Sequence, residues 1–376
     1  MTFLVLLVVG AYAAIVLRCW YAWKQLPVIK TSAENPSAYF SVIVPVRNEA
    51  QNISSLLKDL ERQQYPADHY EVIVVDDHSE DGTPELVLQF QGNSSLKLSL
   101  VLLSSFPGKR QKKAAVEVGI SQARGEWIAC TDGDCRLTPF WLQSFNQVRH
   151  TYNPKFISGP VVYAPLITLW QKLQGLEFSA LIGIGAASIG LGKPTMCNGA
   201  NLAYEKAAFK EVNGFTGNEQ VPSGDDEFLL HKIHLRFPGQ VAFVKAEEAI
   251  VQTPPAFTLS QFLHQRIRWA SKWRHYETRT SQVLALVVLG ANVAVLGTLF
   301  AAFLNFSSWT FFACVLLLKI GADALLLNQV LGFFHKKRLL SLLGFLQLVY
   351  VPYILFTSVL GLKGKYHWKG RQLKTA

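Results

Sequence analysis

Between residues 37 and 250, short apolar runs alternate with stretches in which apolar positions recur every three or four residues. Phe40-Ser41-Val42-Ile43-Val44-Pro45 is a buried-strand run, and residues 49–63 place Ile53, Leu56, Leu57 and Leu60 on one helical face. Tyr70-Glu71-Val72-Ile73-Val74-Val75-Asp76-Asp77 repeats the strand signal, followed by a turn and a helix from Pro84. Residues 98–103 form a third strand, residues 112–123 a helix and Trp127-Ile128-Ala129-Cys130-Thr131 a fourth strand. This rhythm predicts an α/β fold, Rossmann-like, with a mostly parallel sheet and helices on both faces. Ligands then sit at the carboxyl ends of the strands.

The two ends of the chain carry a different pattern. Residues 3–16 are an uncharged apolar run closed by Arg18, Trp20, Tyr21, Trp23 and Lys24, which fits a membrane helix with an interfacial belt over residues 1–24. A signal peptide fits less well, because no basic residue precedes the run and no small-residue cleavage site follows it. Residues 283–306, 309–334 and 339–362 are three further apolar stretches, each near the ~20 residues of a spanning helix. Residues 281–376 therefore read as a C-terminal membrane domain with a basic tail. Lys319 and Asp323, four apart in the middle stretch, are spaced to pair across one turn, which lowers their cost in lipid. Glycines interrupt the apolar segment 166–191, which reads as a pair of membrane-surface helices.

Half of the 376 residues are hydrophobic and the net charge is +10. The positive charge is spread along the membrane boundaries and the middle domain with no long basic block, which disfavours nucleic acid as a partner. Lys24, Lys30, the loop His335-Lys336-Lys337-Arg338 and the tail lysines and arginine (Lys363, Lys365, Lys369, Arg371, Lys374) belong on the cytoplasmic side by the positive-inside rule. One N-terminal span followed by three more would strand the tail on the opposite side. Pro352 interrupts the last apolar stretch, so that stretch is read as a broken or re-entrant hairpin that returns the tail. The five cysteines have no Cys-x-x-Cys spacing and an odd number, which argues against a disulfide framework or a zinc site.

The polar residues that carry chemistry fall at predicted strand ends and helix starts. Asp132-Gly133-Asp134 follows the fourth strand, and two carboxylates around a glycine form a hard oxygen site suited to Mg²⁺ or Mn²⁺. Asp76 and Asp77 close the second strand, where the pair can accept from a nucleobase and ribose, or Asp77 or Ser79 simply caps the turn. Lys109, Lys112 and Lys113 precede a helix, as a diphosphate cradle or as a solvated basic face. Met196-Cys197-Asn198-Gly199-Ala200-Asn201 is a small-residue turn open to close approach by a ligand. Ser223-Gly224-Asp225-Asp226-Glu227 opens a helix with three acids in its first turn, which capping explains and a general base would also require. Residues 251–280 hold a helix beginning near Ser260, on which Gln265, Arg268 and Trp269 share a face. Arginine can fork onto phosphate, tryptophan can stack on a sugar, and the same helix with Trp273 and Arg274 suits a membrane interface.

Taken in order, Val44-Pro45-Val46-Arg47-Asn48-Glu49, Val75-Asp76-Asp77, Asp132-Gly133-Asp134, Gly224-Asp225-Asp226 and Gln265-Arg266-Ile267-Arg268-Trp269 resemble the membrane-bound family 2 glycosyltransferases. That family includes ceramide glucosyltransferases and hyaluronan and cellulose synthases. The resemblance covers about residues 40 to 275. It implies a GT-A fold over residues 37–250, a nucleotide-sugar donor and a divalent metal, Mg²⁺ or Mn²⁺. Pro45, Arg47 and Glu49 match the segment lining the nucleotide pocket, and Asp76 and Asp77 the pair that reads base and ribose. Lys113 looks like the family lysine near the donor. Asp132 and Asp134 match the Asp-x-Asp that meets the metal diphosphate, with Asp134 the direct ligand. Asp226 matches the catalytic base, with Asp225 beside it as the other candidate. Gln265, Arg268 and Trp269 match the Gln-x-x-Arg-Trp element.

The implied reaction is inverting transfer of a sugar, UDP-linked, to a hydroxyl of a membrane lipid or lipid-linked acceptor. Its expected location is the cell (inner) membrane, multi-pass, with the catalytic domain cytoplasmic. Alternatives are a processive polysaccharide synthase, for which the membrane segments are few, and a catalytically silent nucleotide-sugar-binding module.

Overall fold

The computed structural model describes residues 2–30, 37–218, 221, 224–272, 279–305, 308–363 and 365–374. An apolar helix, α1 (Thr2–Gln25), precedes the alternating region β1 (Phe40–Val46), α2 (Ile53–Glu61), β2 (Tyr70–Asp76), α3 (Thr83–Asn93), β3 (Leu98–Leu102), α4 (Gln111–Gln122) and β4 (Trp127–Cys130). Next come α5 (Trp141–Tyr152), β5 (Phe156–Ser158), β6 (Val161–Tyr163), α6 (Leu169–Gly190), β7 (Leu202–Glu205), α7 (Lys206–Glu211), α8 (Asp225–Arg236), β8 (Val241–Phe243) and β9 (Val251–Thr253). The chain continues through α9 (Leu259–Ala270), α10 (Arg279–Leu304), α11 (Ser308–Phe333) and α12 (Leu343–Lys363). It closes with the hairpin β10 (Lys365–Trp368) and β11 (Arg371–Lys374).

Seven strands form one sheet in the order β3-β2-β1-β4-β7-β5-β8, and β6 pairs with β9 beside it. Strands β3, β2, β1 and β4 run parallel, and β1, β2 and β4 carry the near-continuous apolar runs of strands covered on both faces. The helical spacing in α2 is borne out, with Ile53, Leu56, Leu57 and Leu60 all fully buried against one face. Each such side chain contributes roughly 1.5–3 kcal/mol by leaving water. On the other face α4 approaches closely because residue 119 is glycine. A Cβ there would lie 2.7 Å from Ile43 Cγ2.

The one strand that breaks the parallel rhythm is β7, antiparallel to both β4 and β5. Four residues inserted between two sheet edges carry too little pattern to be read from the sequence.

Parallel register sets the site. Residue Val46 of β1 pairs with Asp76 of β2, so both strands end at the same level, whereas Ile43 pairs with Cys130. Strand β4 therefore stops three residues earlier, and Asp132-Gly133-Asp134 runs beneath the loop that follows β1.

Five helical segments among the described residues are long and apolar enough to cross a membrane: α1, α6, α10, α11 and Lys337–Gly361, which takes in most of α12. Residues 166–191 do not form the expected helix pair. They contain the single helix α6, whose glycines are sites of close approach: a Cβ on Gly183 would lie 2.5 Å from Val330 Cγ2, and one on Gly185 3.1 Å from the Met196 carbonyl oxygen. A second departure is α12, which runs unbroken through Pro352 instead of folding back as a hairpin.

The tail nevertheless returns to the α/β domain, where Arg371 meets Asp77. The junction between α11 and α12 meets the same domain, because His335 Nε2 lies 2.9 Å from Glu247 Oε2. Lys245 Nζ donates to the Trp23 carbonyl oxygen at 2.7 Å and caps the end of α1. Within the helices Lys319 pairs with Asp323 at 3.1 Å, one turn apart as its spacing predicts. Gln347 and Tyr12 complete the cluster from α12 and α1. Ser223, Trp273 and Arg274 lie outside the described residues.

Candidate active site

One cleft of about 360 Å³ opens at the carboxyl ends of β1, β2 and β4. Pro45, Arg47, Glu49, Asp77, Asp132, Asp134, Asp225, Asp226, Gln265, Arg268 and Trp269 all line it, so most residues singled out from the sequence meet at one place. Arg47 braces the strand ends, donating from NH1 to the Asp77 carbonyl oxygen at 2.8 Å and to that of His78 at 2.5 Å. Asp77 faces the cleft; Asp76 does not line it. Asp76 accepts from the Ser79 N–H at 3.0 Å through Oδ2, while its Oδ1 is buried without a partner.

Asp132 and Asp134 sit under Glu49. Gly133 is required there: an added Cβ would lie 2.9 Å from both Glu49 Cγ and Val46 Cγ1. Burial, then the neighbouring Asp132 and Glu49 carboxylates, push the Asp134 carboxyl up to about 6, with Lys369 and Lys112 offsetting only part of the rise. Such concentrated negative charge fits a divalent cation. No group of three or more His, Cys, Asp or Glu side chains suited to a metal occurs among the described residues. Asp134 and Asp132 would therefore share a cation with other oxygen donors, as Mg²⁺ and Mn²⁺ sites commonly do with substrate phosphates.

The first turn of α8 supplies the other acids. Asp226 Oδ2 accepts from the Gly199 N–H at 2.8 Å and its Oδ1 from the Glu227 N–H at 2.8 Å. Burial opposes its ionisation, but Lys272, Lys112 and these two N–H groups hold the carboxyl below its ordinary value. Asp225 is shifted upward, mainly by burial, although Lys112 lies 3.8 Å away. Lys112 also contacts Asp132 Oδ1 at 2.5 Å and bridges the two acidic segments. Gly199 lets them converge, since its Cβ would sit 3.1 Å from Lys112 Nζ and 3.4 Å from Asp226 Oδ2.

Lys113, expected near the donor, is one residue out of position. Successive helical residues point about 100° apart, so its Nζ reaches the carbonyl oxygens of Asn218 at 2.6 Å and Val221 at 3.0 Å and tethers the segment before α8. Of the two neighbours, it is Lys112 that lines the cleft. Lys272 was missed in the sequence, and so were Lys369 and Arg371 of the tail hairpin. Lys369 pairs with Glu49, and Arg371 NH1 donates to Asp77 Oδ2 at 2.6 Å. No local signal marks Lys369 and Arg371, which arrive from 320 and 294 positions away.

Helix α9 begins at a capping box, Thr258 with Gln261, and fixes the remaining wall. Gln265 Oε1 accepts from the Tyr163 hydroxyl at 3.2 Å, and Trp269 stacks on Phe178 with centroids 6.1 Å apart. Arg266 points the other way, pairing with the buried Glu177. Arg268 Nε is buried without a hydrogen-bond partner. An unpaired guanidinium nitrogen in a cleft is a ready donor to phosphate oxygen. Leu181, Met196 and Trp269 also border a second, apolar cavity of about 580 Å³ among α1, α6, α10, α11 and α12.

Comparison with known proteins agrees with this architecture. The chain is 40% identical over 105 residues to the glycosyltransferase AglE of Haloferax volcanii, covering 28% of this chain and 33% of the relative. It is 25% identical over 257 residues to the poly-beta-1,6-N-acetyl-D-glucosamine synthase of Staphylococcus epidermidis, covering 66% and 57% respectively. The chain thus spans between a third and just over half of these relatives' length. Among solved structures, the mannosyltransferase PcManGT from Pyrobaculum calidifontis, in complex with GDP-Man and Mn²⁺, superimposes with a TM-score of 0.60. The identity is 19%, with 95% of this chain and 98% of that one covered, a likeness that establishes the GT-A fold. The family model described as glycosyl transferase family 2 matches residues 41–212, and that described as glycosyl transferase family group 2 matches residues 127–327. With more than half of its length matched by the latter, the chain belongs to the family 2 glycosyltransferases.

Proposed function

We propose that the protein transfers one sugar from a nucleotide-sugar, UDP-linked, to a hydroxyl of a membrane lipid or lipid-linked acceptor, with inversion. The observation that carries this reading is the shared border of two cavities. A charged cleft with Arg268 and Lys112 on its wall adjoins, through Leu181, Met196 and Trp269, an apolar cavity among the helices. A donor with a diphosphate suits the first, and the chain of a lipid suits the second.

In this reading Asp226 is the base. Its two backbone N–H partners hold the carboxylate ionised and oriented while leaving lone pairs for an acceptor proton. The acceptor oxygen forms a bond to the anomeric carbon as the bond from that carbon to the diphosphate oxygen breaks. The acceptor proton passes to Asp226, and the nucleoside diphosphate departs. Arg268 and Lys112 stabilise the charge that grows on the diphosphate. A divalent cation held at Asp134 and Asp132, Mn²⁺ or Mg²⁺, would supply further neutralisation of that charge. Gln265 lines the donor cleft, and Trp269 forms part of its border with the apolar cavity.

The catalytic domain, the end of α11 and the tail belong together on the cytoplasmic face. Incubating detergent-purified protein with labelled nucleotide-sugars and total membrane lipid tests the proposal. Label extracted into the organic phase supports it, and label confined to a water-soluble polymer would favour a polysaccharide synthase instead.

A further inference from the structure

The tail hairpin is closed by the two-residue turn Lys369-Gly370, with φ of 43° and 77°. Asn-Gly and Asp-Gly are the residues that suit such a turn, because a long side chain is strained in the left-handed region. The strained lysine is nevertheless the residue that reaches the cleft. Its Nζ pairs with Glu49 and donates to the Arg47 carbonyl oxygen at 2.8 Å, while Arg47 Nε donates to the Lys369 carbonyl oxygen at 3.3 Å. Across the turn, Arg371 reaches Asp77 from NH1 and the Asp77 carbonyl oxygen from NH2 at 3.4 Å.

The hairpin therefore lays one cation on the cleft wall and a second on an acid that lines it. Lys369 sits at the Glu49 and Asp134 side and Arg371 at the end of β2. The cations are partly exposed, 28% for Lys369 and 21% for Arg371, whereas their carboxylates are 7% and 3% exposed. A partly solvated ammonium that already borders the cleft can reach an arriving phosphate with little rearrangement.

We propose that this hairpin is a donor-binding element, in which Lys369 contacts the diphosphate of the bound nucleotide and Arg371 secures the Asp77 end of the site. The proposal rests on the nucleotide-sugar reading and adds to it a segment that none of the recognised motifs contains. It also gives donor binding a mechanical link to the membrane helices. The hairpin directly follows α12, which packs on α9 so tightly that a Cβ on Gly361 would lie 2.8 Å from Ala270 Cβ.

The experiment titrates the full-length protein in detergent and Mn²⁺ with UDP and UMP, and with GDP and GMP. Wild type is compared with Lys369→Met and Lys369→Arg. Lys369→Met is expected to lower the preference for the diphosphate over the monophosphate about tenfold, the loss of one charge-assisted contact. Lys369→Arg is expected to retain most of that preference. An unchanged preference in Lys369→Met overturns the proposal, as does equal weakening of both nucleotides, which marks a structural role. Tighter diphosphate binding overturns it too, since a hairpin that merely plugs the cleft would behave so. Each of these results leaves the donor reading intact provided that wild type binds a diphosphate. Wild type that binds neither UDP nor GDP overturns both.

Discussion

Asp225 and Asp226 occupy one helical turn, yet their surroundings push them in opposite directions. Asp226 is held ionised by Lys272, Lys112 and two backbone N–H groups despite its burial, whereas burial raises Asp225. Asp226→Asn is expected to keep nucleotide affinity and lower the transfer rate by about 10²–10⁴. Normal turnover in that variant, with loss in Asp225→Asn, would move the base to Asp225. Asp134→Ala should abolish the increment that Mn²⁺ adds to UDP affinity, read by calorimetry with and without the metal. A third residue governs stability. His231 donates from Nε2 to the Thr195 carbonyl oxygen at 3.1 Å, and burial pushes its imidazolium down to about 4. The folded value lies below the unfolded value of about 6.5, so the contribution is complete above pH ~6.5 and is lost as the pH falls toward 4. The gap corresponds to about 3 kcal/mol. Melting in detergent from pH 7.5 to 4.5 should therefore fall more steeply for wild type than for His231→Gln. Residue types at strand ends were legible in the sequence because chemistry needs few alternatives there. Lys112 was confused with Lys113 because adjacent helical positions differ in direction, and only packing against Asn218 and Val221 fixes which one turns inward.

At the scale of elements, α6, α9 and α12 meet around one buried charge pair. Arg266 of α9 pairs with Glu177 of α6, which also accepts from the Tyr353 hydroxyl of α12. The guanidinium lies 4.3 Å from the Trp269 ring centroid, so this pair positions the tryptophan that borders both cavities. Arg266→Met is expected to cost about 3–5 kcal/mol by leaving Glu177 buried and unpaired, and adding Glu177→Gln should recover part of that loss. Unfolding in mixed micelles measures both; an equal loss in the single and double variants would refute the coupling. Periodicity revealed α2, whose buried face, Ile53, Leu56, Leu57 and Leu60, repeats at helical spacing. It misread α6, because glycines that suggest a break in a sequence are, in the fold, places where Val330 and Met196 come close.

Several contacts join the catalytic domain to the helices and the tail, among them Lys245 on the end of α1, Glu247 on His335 after α11, and Glu49 and Asp77 on Lys369 and Arg371 of the tail. These contacts place the tail on the catalytic side even though α12 is one continuous helix. In a cysteine-free background, Gln122→Cys and a C-terminal epitope tag should be reached from the same membrane face. Asn305→Cys, between α10 and α11, should be reached from the opposite face. Labelling of all three from one side would contradict this topology.

By itself the sequence determined the alternating strands and helices, the apolar ends and the acidic strand termini, since these follow from local periodicity and from residue chemistry. Tertiary structure alone decided that β7 enters the sheet antiparallel, that Lys112 faces the cleft, and that Lys369 and Arg371 reach Glu49 and Asp77. Those outcomes depend on contacts between residues far apart in the chain. Which contacts form is set by the packing of whole elements, and no local pattern encodes it.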